Sequence, residues 1–285
     1  MTSGLPVTVA LAALLTAPAA GAQTLRTLAS SRQLNGEASL TADVTYAAGR
    51  FRLYAAAPGA LYRMDMRYDE DKFTPVREYD AGTGTLRLGL KSKGHVELAS
   101  DEGTDVPTLD LALAPGVPLS LSIELGAAES DADFGGLALR RLRYQTGASK
   151  SDLRFSRPNP VECDSLTLDV GAAQFSATGL GNAGCRHMKV EGGVGAIALD
   201  FTGAWRGSMD ADVHVALGTL KLQLPRSLGV AITLSRFLAS FDQSGFTKRA
   251  GVYYSDNYAT ARNHLDLNVE SAFGGIQIFW VEPSR

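Results

Sequence analysis

The chain has 285 residues, of which 45% are hydrophobic and 20% are charged, and its formal net charge is −3. That length permits one large or two small domains with a sizeable buried core. The net negative charge, with no Lys/Arg cluster interleaved with aromatic residues, argues against a nucleic-acid partner.

The first segment, residues 1–22, is predicted to be a secretory signal peptide. An apolar run rich in alanine and leucine covers residues 5–20 and ends in the small-x-small sequence Ala20-Gly21-Ala22. A disordered alanine-rich leader is the alternative. No later stretch has about 18 consecutive apolar residues, so we expect no transmembrane span after signal cleavage. We therefore expect an exported protein, periplasmic or extracellular.

Residues 23–115 are predicted to form a β-rich but irregular N-terminal part. Residues 23–34 show no clear pattern and are expected to be an extended lead-in. An alternating apolar pattern with a small-residue corner surrounds Gly49, and a degenerate copy surrounds Gly84. This part either forms a domain of its own or caps the regular array that begins at residue 116.

The strongest feature is a pattern that recurs six times between residues 116 and 285. Each copy alternates apolar and polar residues, turns at a corner of small residues, and alternates again. If the second small residue of each corner is its anchor, successive anchors lie 21, 24, 22, 23 and 56 residues apart. The anchors are Ala128, Ser149, Ala173, Gly195, Gly218 and Gly274. Self-similarity of this length is typical of stacked repeats.

Apolar residues hold the same positions in every copy, which indicates half-buried strands on both sides of the corner. Five residues before the anchors stand Ile123, Tyr144, Leu168, Val190, Val213 and Val269. We predict an all-β fold, a β-solenoid or β-helix-like stack of rungs of about 22 residues. A meander of unrelated β-hairpins that share the period by chance is the alternative.

The period breaks at an insertion of about residues 225–263, which is the best candidate for a projecting element. It contains aromatic residues, among them Phe241, Phe246 and the Tyr253-Tyr254 pair. After it, the apolar residues 276–281 are predicted to be an edge strand that could pair with another chain.

The two cysteines, Cys163 and Cys185, each stand ten residues before an anchor. They therefore occupy equivalent places in adjacent rungs, at a separation that a disulfide accepts. We predict a disulfide between the rungs, with two free thiols in a loop as the alternative.

An outward-facing column of carboxylates is the candidate interaction face. Four residues before the anchors stand Glu124, Gln145, Asp169, Glu191, His214 and Glu270. Adjacent like charges are unfavourable on a sheet, and Arg143 and Lys189 are placed to relieve them. We expect a solvated charged face, whereas a weak cation site and a pair of glycosidase carboxylates are the alternatives.

No catalytic motif accompanies the repeat. The four histidines form no His-x-x-x-His pair, and the chain has no Gly-x-Ser-x-Gly elbow, Walker loop or zinc-site cysteine spacing. We therefore expect no enzyme activity, no metal and no cofactor.

The repeat resembles the bacterial toast-rack domains of LiaF-like, cell-wall-active antibiotic response proteins. The likeness is carried by residues 118–128 (PLSLSIELGAA), 134–139 (FGGLAL), 170–173 (VGAA), 179–183 (GLGNA) and 193–195 (GVG) with 199–203 (LDFTG). The resemblance implies a β-rich extracytoplasmic domain with a link to envelope-stress signalling. LiaF-like proteins carry membrane helices before this domain, which we do not expect in the present protein, and the resemblance assigns no functional residues.

Three functions fit these observations. The first is an exported, non-enzymatic binding or scaffold module of the cell envelope, with an envelope protein or a glycan as its partner. The second is a β-helix-type carbohydrate-active enzyme that uses Asp169 and Glu191 near Trp205 or the Tyr253-Tyr254 pair. The third is a self-associating adhesin or surface component.

Overall fold

The computed structural model describes residues 24–94, 106–241 and 243–282. The expected signal peptide (1–22) lies outside these ranges, as does His95. Within them the chain is almost entirely β-strand, and one turn of 3-10 helix covers Leu180–Asn182. The strands are β1 (Leu25–Gln33), β2 (Leu40–Ala55), β3 (Ala60–Asp69), β4 (Phe73–Asp80), β5 (Thr85–Ser92), β6 (Thr108–Leu113), β7 (Pro118–Asp133), β8 (Ala138–Arg154), β9 (Cys163–Thr178), β10 (Cys185–Asp200), β11 (Met209–Pro225), β12 (Gly229–Phe241), β13 (Phe246–Arg249), β14 (Val252–Ser255) and β15 (His264–Val281).

The long strands pair in parallel with their neighbours in the order β2-β7-β8-β9-β10-β11-β15-β12. Only residues 134–137 connect β7 to β8. A straight strand of 16 residues would be about 50 Å long, so this link could not return to its start. Each long strand therefore doubles back at the small-residue corner near its middle.

The corners line up across the sheet as the repeat predicts. Ala173 pairs with Ser149 on one side and with Gly195 on the other. Gly218 likewise pairs with Gly195 and with Gly274, although 56 residues separate the last pair in the chain. The copy around Gly49 joins the same column, because Gly49 pairs with Ala128.

Glycine is required at the later corners by backbone contact between neighbouring strands. Gly218 has a φ of 145°, and a Cβ atom there would lie 1.8 Å from the carbonyl oxygen of Gly195. At Gly274 the corresponding distance to the carbonyl oxygen of Gly218 is 1.7 Å. A side chain at either corner would force the two strands apart.

The inward-facing columns form one continuous core. Every residue five positions before an anchor, from Ile123 through Tyr144 to Val269, is fully buried. Aromatic side chains fill the space between the strand halves that precede the corners and those that follow them. Tyr144, for example, contacts Phe175 at a ring-centroid distance of 6.1 Å. The all-β class and the alternating burial follow the predicted pattern.

The C-terminal region differs from the expectation. Residues 229–241 do not project but form β12, a further strand that pairs with β15 and places Ala239 opposite Gly274. As a result β15 lies between β11 and β12 as far as Ile276. Beyond that point, residues 277–281 pair with β11 alone among the described strands, so the predicted edge is confined to them. The hairpin of β13 and β14 continues the sheet beside β12.

At the N-terminal end two short strands take the place of one long strand. β5 pairs with the first half of β2 and β6 with its second half, and the antiparallel strands β4, β3 and β1 follow outside them. The lead-in at residues 23–34 therefore contains a strand, β1. Leu88 lies opposite Val44, so Gly84 is not a corner. The apolar alternation is the same before and after a corner. For this reason the sequence pattern placed a corner at Gly84 where the structure has none.

Candidate functional site

The candidate site is built from residues that stand four positions before each corner. Because the strands are parallel and in register, Glu124, Gln145, Asp169, Glu191, His214 and Glu270 form one continuous line across six strands. We call this line the acidic row. Its side chains are exposed or half-exposed, since they alternate with the buried column beside them.

Basic side chains neutralise part of the acidic row, as expected. Arg143 donates a hydrogen bond of 2.8 Å to Asp169, and the Lys189 ammonium lies 2.8 Å from Glu191. The hydrogen bond and the negative charge of Glu191 raise the pKa of Lys189 above its ordinary value. Asp169 and Glu191 carry like charges and lie opposite each other on adjacent strands. Each is therefore paired with its own cation, which reduces the repulsion between them.

His214 sits between two carboxylates of the same row. Its Nδ1 atom lies 3.7 Å from Glu191 and 4.0 Å from Glu270. The imidazole is half-exposed, as the alternation of β11 predicts. Glu191 also has the permanent cation Lys189, whereas the only described ion-pair partner of Glu270 is His214.

Small residues form the floor of a shallow groove beside the acidic row. Two positions before the corners stand Gly126, Gly147, Gly171, Gly193, Ala216 and Ala272. One concavity of about 670 Å³ runs from Glu124 to Gly193, and another of about 430 Å³ continues from Glu191 to Ala272. Among the described residues, no Phe, Tyr or Trp side chain lines either concavity.

A ridge of exposed apolar side chains lies next along each strand, directly before the corner. Val194, Leu217 and Phe273 pair with one another across β10, β11 and β15. They are 54%, 48% and 45% exposed. We call these three residues the apolar ridge. Sequence reasoning missed them, because the alternation breaks at the corner, although a large apolar residue beside a corner glycine was a visible signal.

The predicted disulfide is present. Cys163 pairs with Cys185 across β9 and β10, and their sulfur atoms are bonded. The bond fixes the starts of these two strands, at the far end of each from the corner.

The aromatic residues named for an enzymatic site lie elsewhere. Trp205 follows β10 and lines a separate pocket at the connections between strands. Tyr253 is buried against Phe241 at a ring-centroid distance of 5.0 Å, and Tyr254 contacts Tyr258. The structure therefore does not bring Trp205 or Tyr253 into the groove beside Asp169 and Glu191.

The described residues lack two further features. They contain no group of three or more His, Cys, Asp or Glu side chains arranged to hold a metal ion. They also contain no helix with the length and apolar character needed to cross a lipid bilayer.

Several solved structures match the chain with low sequence identity and low TM-scores. A candidate cell adhesion protein from Clostridium sporogenes is 16% identical, with a TM-score of 0.48, over 90% of this chain and 100% of that one. A candidate adhesin from Bacteroides fragilis is 10% identical, with a TM-score of 0.41, over 89% and 97%. Another from Parabacteroides distasonis is 10% identical, with a TM-score of 0.32, over 90% and 98%.

No curated protein matches the chain in sequence. A family profile does match, that of the N-terminal domain of toast_rack (DUF2154), over residues 22–174. These residues make up more than half of the chain and include the strands from β1 to β8 and most of β9. The chain therefore belongs to the toast-rack family.

Proposed function

We propose that this protein is an exported, non-enzymatic binding module of the cell envelope. Its docking surface is the groove bordered by the acidic row and the apolar ridge. The observation that carries the proposal is the alignment of both features across consecutive strands. In our proposal the stacked strands form a two-sided β-solenoid that holds this surface rigid.

The surface favours a partner segment that is basic and apolar. The row has four carboxylates, and among the described ion pairs they meet two permanent cations, Arg143 and Lys189. The three residues of the apolar ridge form a contiguous exposed apolar patch, which typically marks an interaction site. A segment of an envelope protein that alternates basic and apolar residues would satisfy both, because its charges would meet the row and its apolar side chains the ridge.

Export is supported by two independent features. The Cys163–Cys185 disulfide is stable in an oxidising compartment such as the periplasm or the cell exterior. The signal-peptide pattern of residues 1–22 agrees with that location. The resemblance to LiaF-like proteins supports a link to the envelope-stress response. N-terminal sequencing of the protein from an envelope fraction should find Gln23 as the first residue.

Binding can be tested with a labelled peptide that alternates lysine and leucine, measured by fluorescence anisotropy. An alternating glutamate and leucine peptide is the control probe. We expect the basic peptide to bind, and Glu191→Gln/Glu270→Gln to weaken binding about tenfold, with a smaller difference at high salt. Leu217→Ser should weaken binding at both salt concentrations.

A matched control uses two carboxylates in the other half of β7. Glu129 and Asp131 have side-chain exposures of 59% and 52%, comparable to Glu270 at 54%. Glu129→Gln/Asp131→Asn should leave peptide affinity unchanged. If this variant loses as much affinity as the Glu191 and Glu270 pair, or if the acidic peptide binds equally well, the proposed surface is wrong.

Self-association is the second candidate function. Residues 277–281 pair on one side only among the described strands, and Phe279 is 49% exposed there. A second copy could add a strand at this edge. Sedimentation over a concentration series would show a growing mass, and Phe279→Lys would restore the monomer. A monomer at all concentrations would leave the binding module as the function.

A further inference from the structure

A third, more enclosed concavity lies where consecutive strands are connected, apart from the groove. It has a volume of about 230 Å³ and is lined by the connections between β8 and β9, β9 and β10, and β10 and β11. The side chains that matter for binding are Trp205, Arg206, Arg186 and Glu162. This pocket is independent of the proposed docking surface.

The walls of the pocket are held in place before any ligand arrives. The buried amide of Asn159 donates to the carbonyl oxygens of Leu139 and Ala183 at 2.8 and 3.0 Å. In the next connection the amide of Asn182 donates to Phe155 O and its oxygen accepts from the Ala204 N–H. The disulfide at Cys185 fixes the third side. Such a preformed site loses little entropy on binding.

Trp205 presents an aromatic surface whose polar group is already used. Its indole N–H donates a hydrogen bond of 2.8 Å to Phe201 O. The adjacent Gly181 leaves room for the ring, because a Cβ atom there would lie 2.5 Å from the indole nitrogen. The half-buried ring therefore offers the pocket apolar contact rather than a hydrogen bond.

Arg206 supplies a positive charge that no carboxylate balances within the part of the chain that the structure describes. One guanidinium nitrogen donates to Asn159 O at 3.1 Å. No salt bridge to Arg206 exists within the described residues, whereas Arg186 is paired with Glu162 at 2.7 Å. A guanidinium has five N–H donors, so Arg206 keeps several free for a bidentate contact with an anion.

We propose that this pocket binds a single sugar ring that carries a carboxylate. The C–H groups of the sugar ring would lie against Trp205, while its carboxylate would accept hydrogen bonds from Arg206. The volume lies below the roughly 300–1,000 Å³ of drug-sized sites, which restricts the occupant to one ring. Either a free sugar acid or an acidic sugar within a glycan provides this chemistry.

The test uses the oxidised protein with Trp280→Phe, which leaves Trp205 as the only tryptophan because the chain has two. D-glucuronate is titrated while Trp205 fluorescence and saturation-transfer NMR are recorded. D-glucose serves as the uncharged analogue and acetate as the simple anion. We expect saturable binding of glucuronate, with both analogues at least about tenfold weaker.

Two arginine variants decide the role assigned to Arg206. Arg206→Gln should reduce glucuronate affinity at least about tenfold, because the charged hydrogen bonds are lost. Arg140→Gln, which removes another exposed arginine, should bind as the parent does, and circular dichroism should confirm that both variants are folded. Equal affinity for glucuronate and acetate, no saturable binding, or unchanged affinity in Arg206→Gln would overturn the proposal.

A final experiment distinguishes a free sugar acid from an acidic sugar within a glycan as the ligand. Hyaluronan oligosaccharides carry glucuronate within a chain. Tighter binding of the oligosaccharide than of free glucuronate would support a glycan ligand, whereas weaker binding would support a free sugar acid. Either result keeps the pocket as an acidic-sugar site.

Discussion

The hydroxyl of Tyr144 donates a buried hydrogen bond of 2.9 Å to Oγ of Ser151, seven residues later in the same strand. In a straight strand those residues would stand about 23 Å apart. The contact is possible because β8 doubles back at its corner, so residues from its two halves meet inside the stack. Because of the corner, the two halves of β8 lie on opposite sides of the core.

Removing this hydrogen bond should destabilise the protein. Tyr144→Phe leaves the ring in place but removes the donor to buried Ser151, so we expect unfolding free energy to fall by about 1 kcal/mol. Ser149, at 3.2 Å from Ser151, limits the loss. Urea denaturation provides the measurement.

Tyr46 is the matched control, because its buried hydroxyl has no hydrogen-bond partner among the described residues. Tyr46→Phe removes an unsatisfied polar group and should raise stability by up to about 1 kcal/mol. Equal losses in the two variants would contradict the role given to the Tyr144–Ser151 bond.

The corner glycines should tolerate no side chain. We expect Gly218→Ala to cost on the order of 3 kcal/mol, because φ is unfavourable and the new methyl group meets the carbonyl of Gly195. Gly207→Ala is the control, since nothing lies within 4 Å of its Cβ position. It should change stability by less than about 0.5 kcal/mol. Thermal unfolding of both variants compares them directly, and similar melting temperatures would refute the corner contact.

The disulfide should stabilise the fold by restricting the unfolded chain. It joins residues 22 apart in sequence, for which the chain-entropy model gives about 3 kcal/mol. Cys163→Ala/Cys185→Ala should therefore lower the unfolding free energy by about that amount. Reduction of the parent should have the same effect, and the reductant should not affect the double variant. A parent that keeps its stability after complete reduction would disagree with this expectation.

Stability should fall at alkaline pH. Burial raises the pKa of Tyr46 and of Tyr144 above the ordinary value of 10. Partial burial and the hydrogen bond to Asp266 raise the pKa of Tyr258 to about 12. The unfolded state then loses protons that the folded state keeps, so unfolding free energy decreases as pH rises above about 10, with a limiting slope of about 1.4 kcal/mol per pH unit for each tyrosine.

The measurement is urea denaturation between about pH 9 and pH 11. Tyr46→Phe/Tyr144→Phe should lose less stability over this range than the parent. Tyr54→Phe, at an exposed position, should retain the parent's pH dependence. An unchanged slope in the double variant would show that the buried tyrosines do not cause the effect.

The alternating pattern and its spacing were enough to predict the buried face and the register of the long strands. The buried column from Ile123 to Val269, the pairing of the corner residues and the Cys163–Cys185 bond all follow from residues that repeat at a fixed distance. These features depend on local information, since strand alternation fixes the inward face and equal spacing fixes the register. The acidic row was predictable for the same reason.

Other features required the tertiary structure. The position of β15 between β11 and β12 could not be predicted from the sequence. β12 and β15 carry the same apolar alternation, so the pattern allows either of them to pair with β11, and the order depends on contacts between segments far apart in the chain. The apolar ridge stands where alternation breaks, so the pattern does not decide whether Leu217 faces the core or solvent. The pocket around Trp205 and Arg206 is formed by three connections between strands, whose sequences show no regular repeat. Sequence alone thus determined which faces are buried, whereas packing between distant segments decided which surfaces remain available for binding.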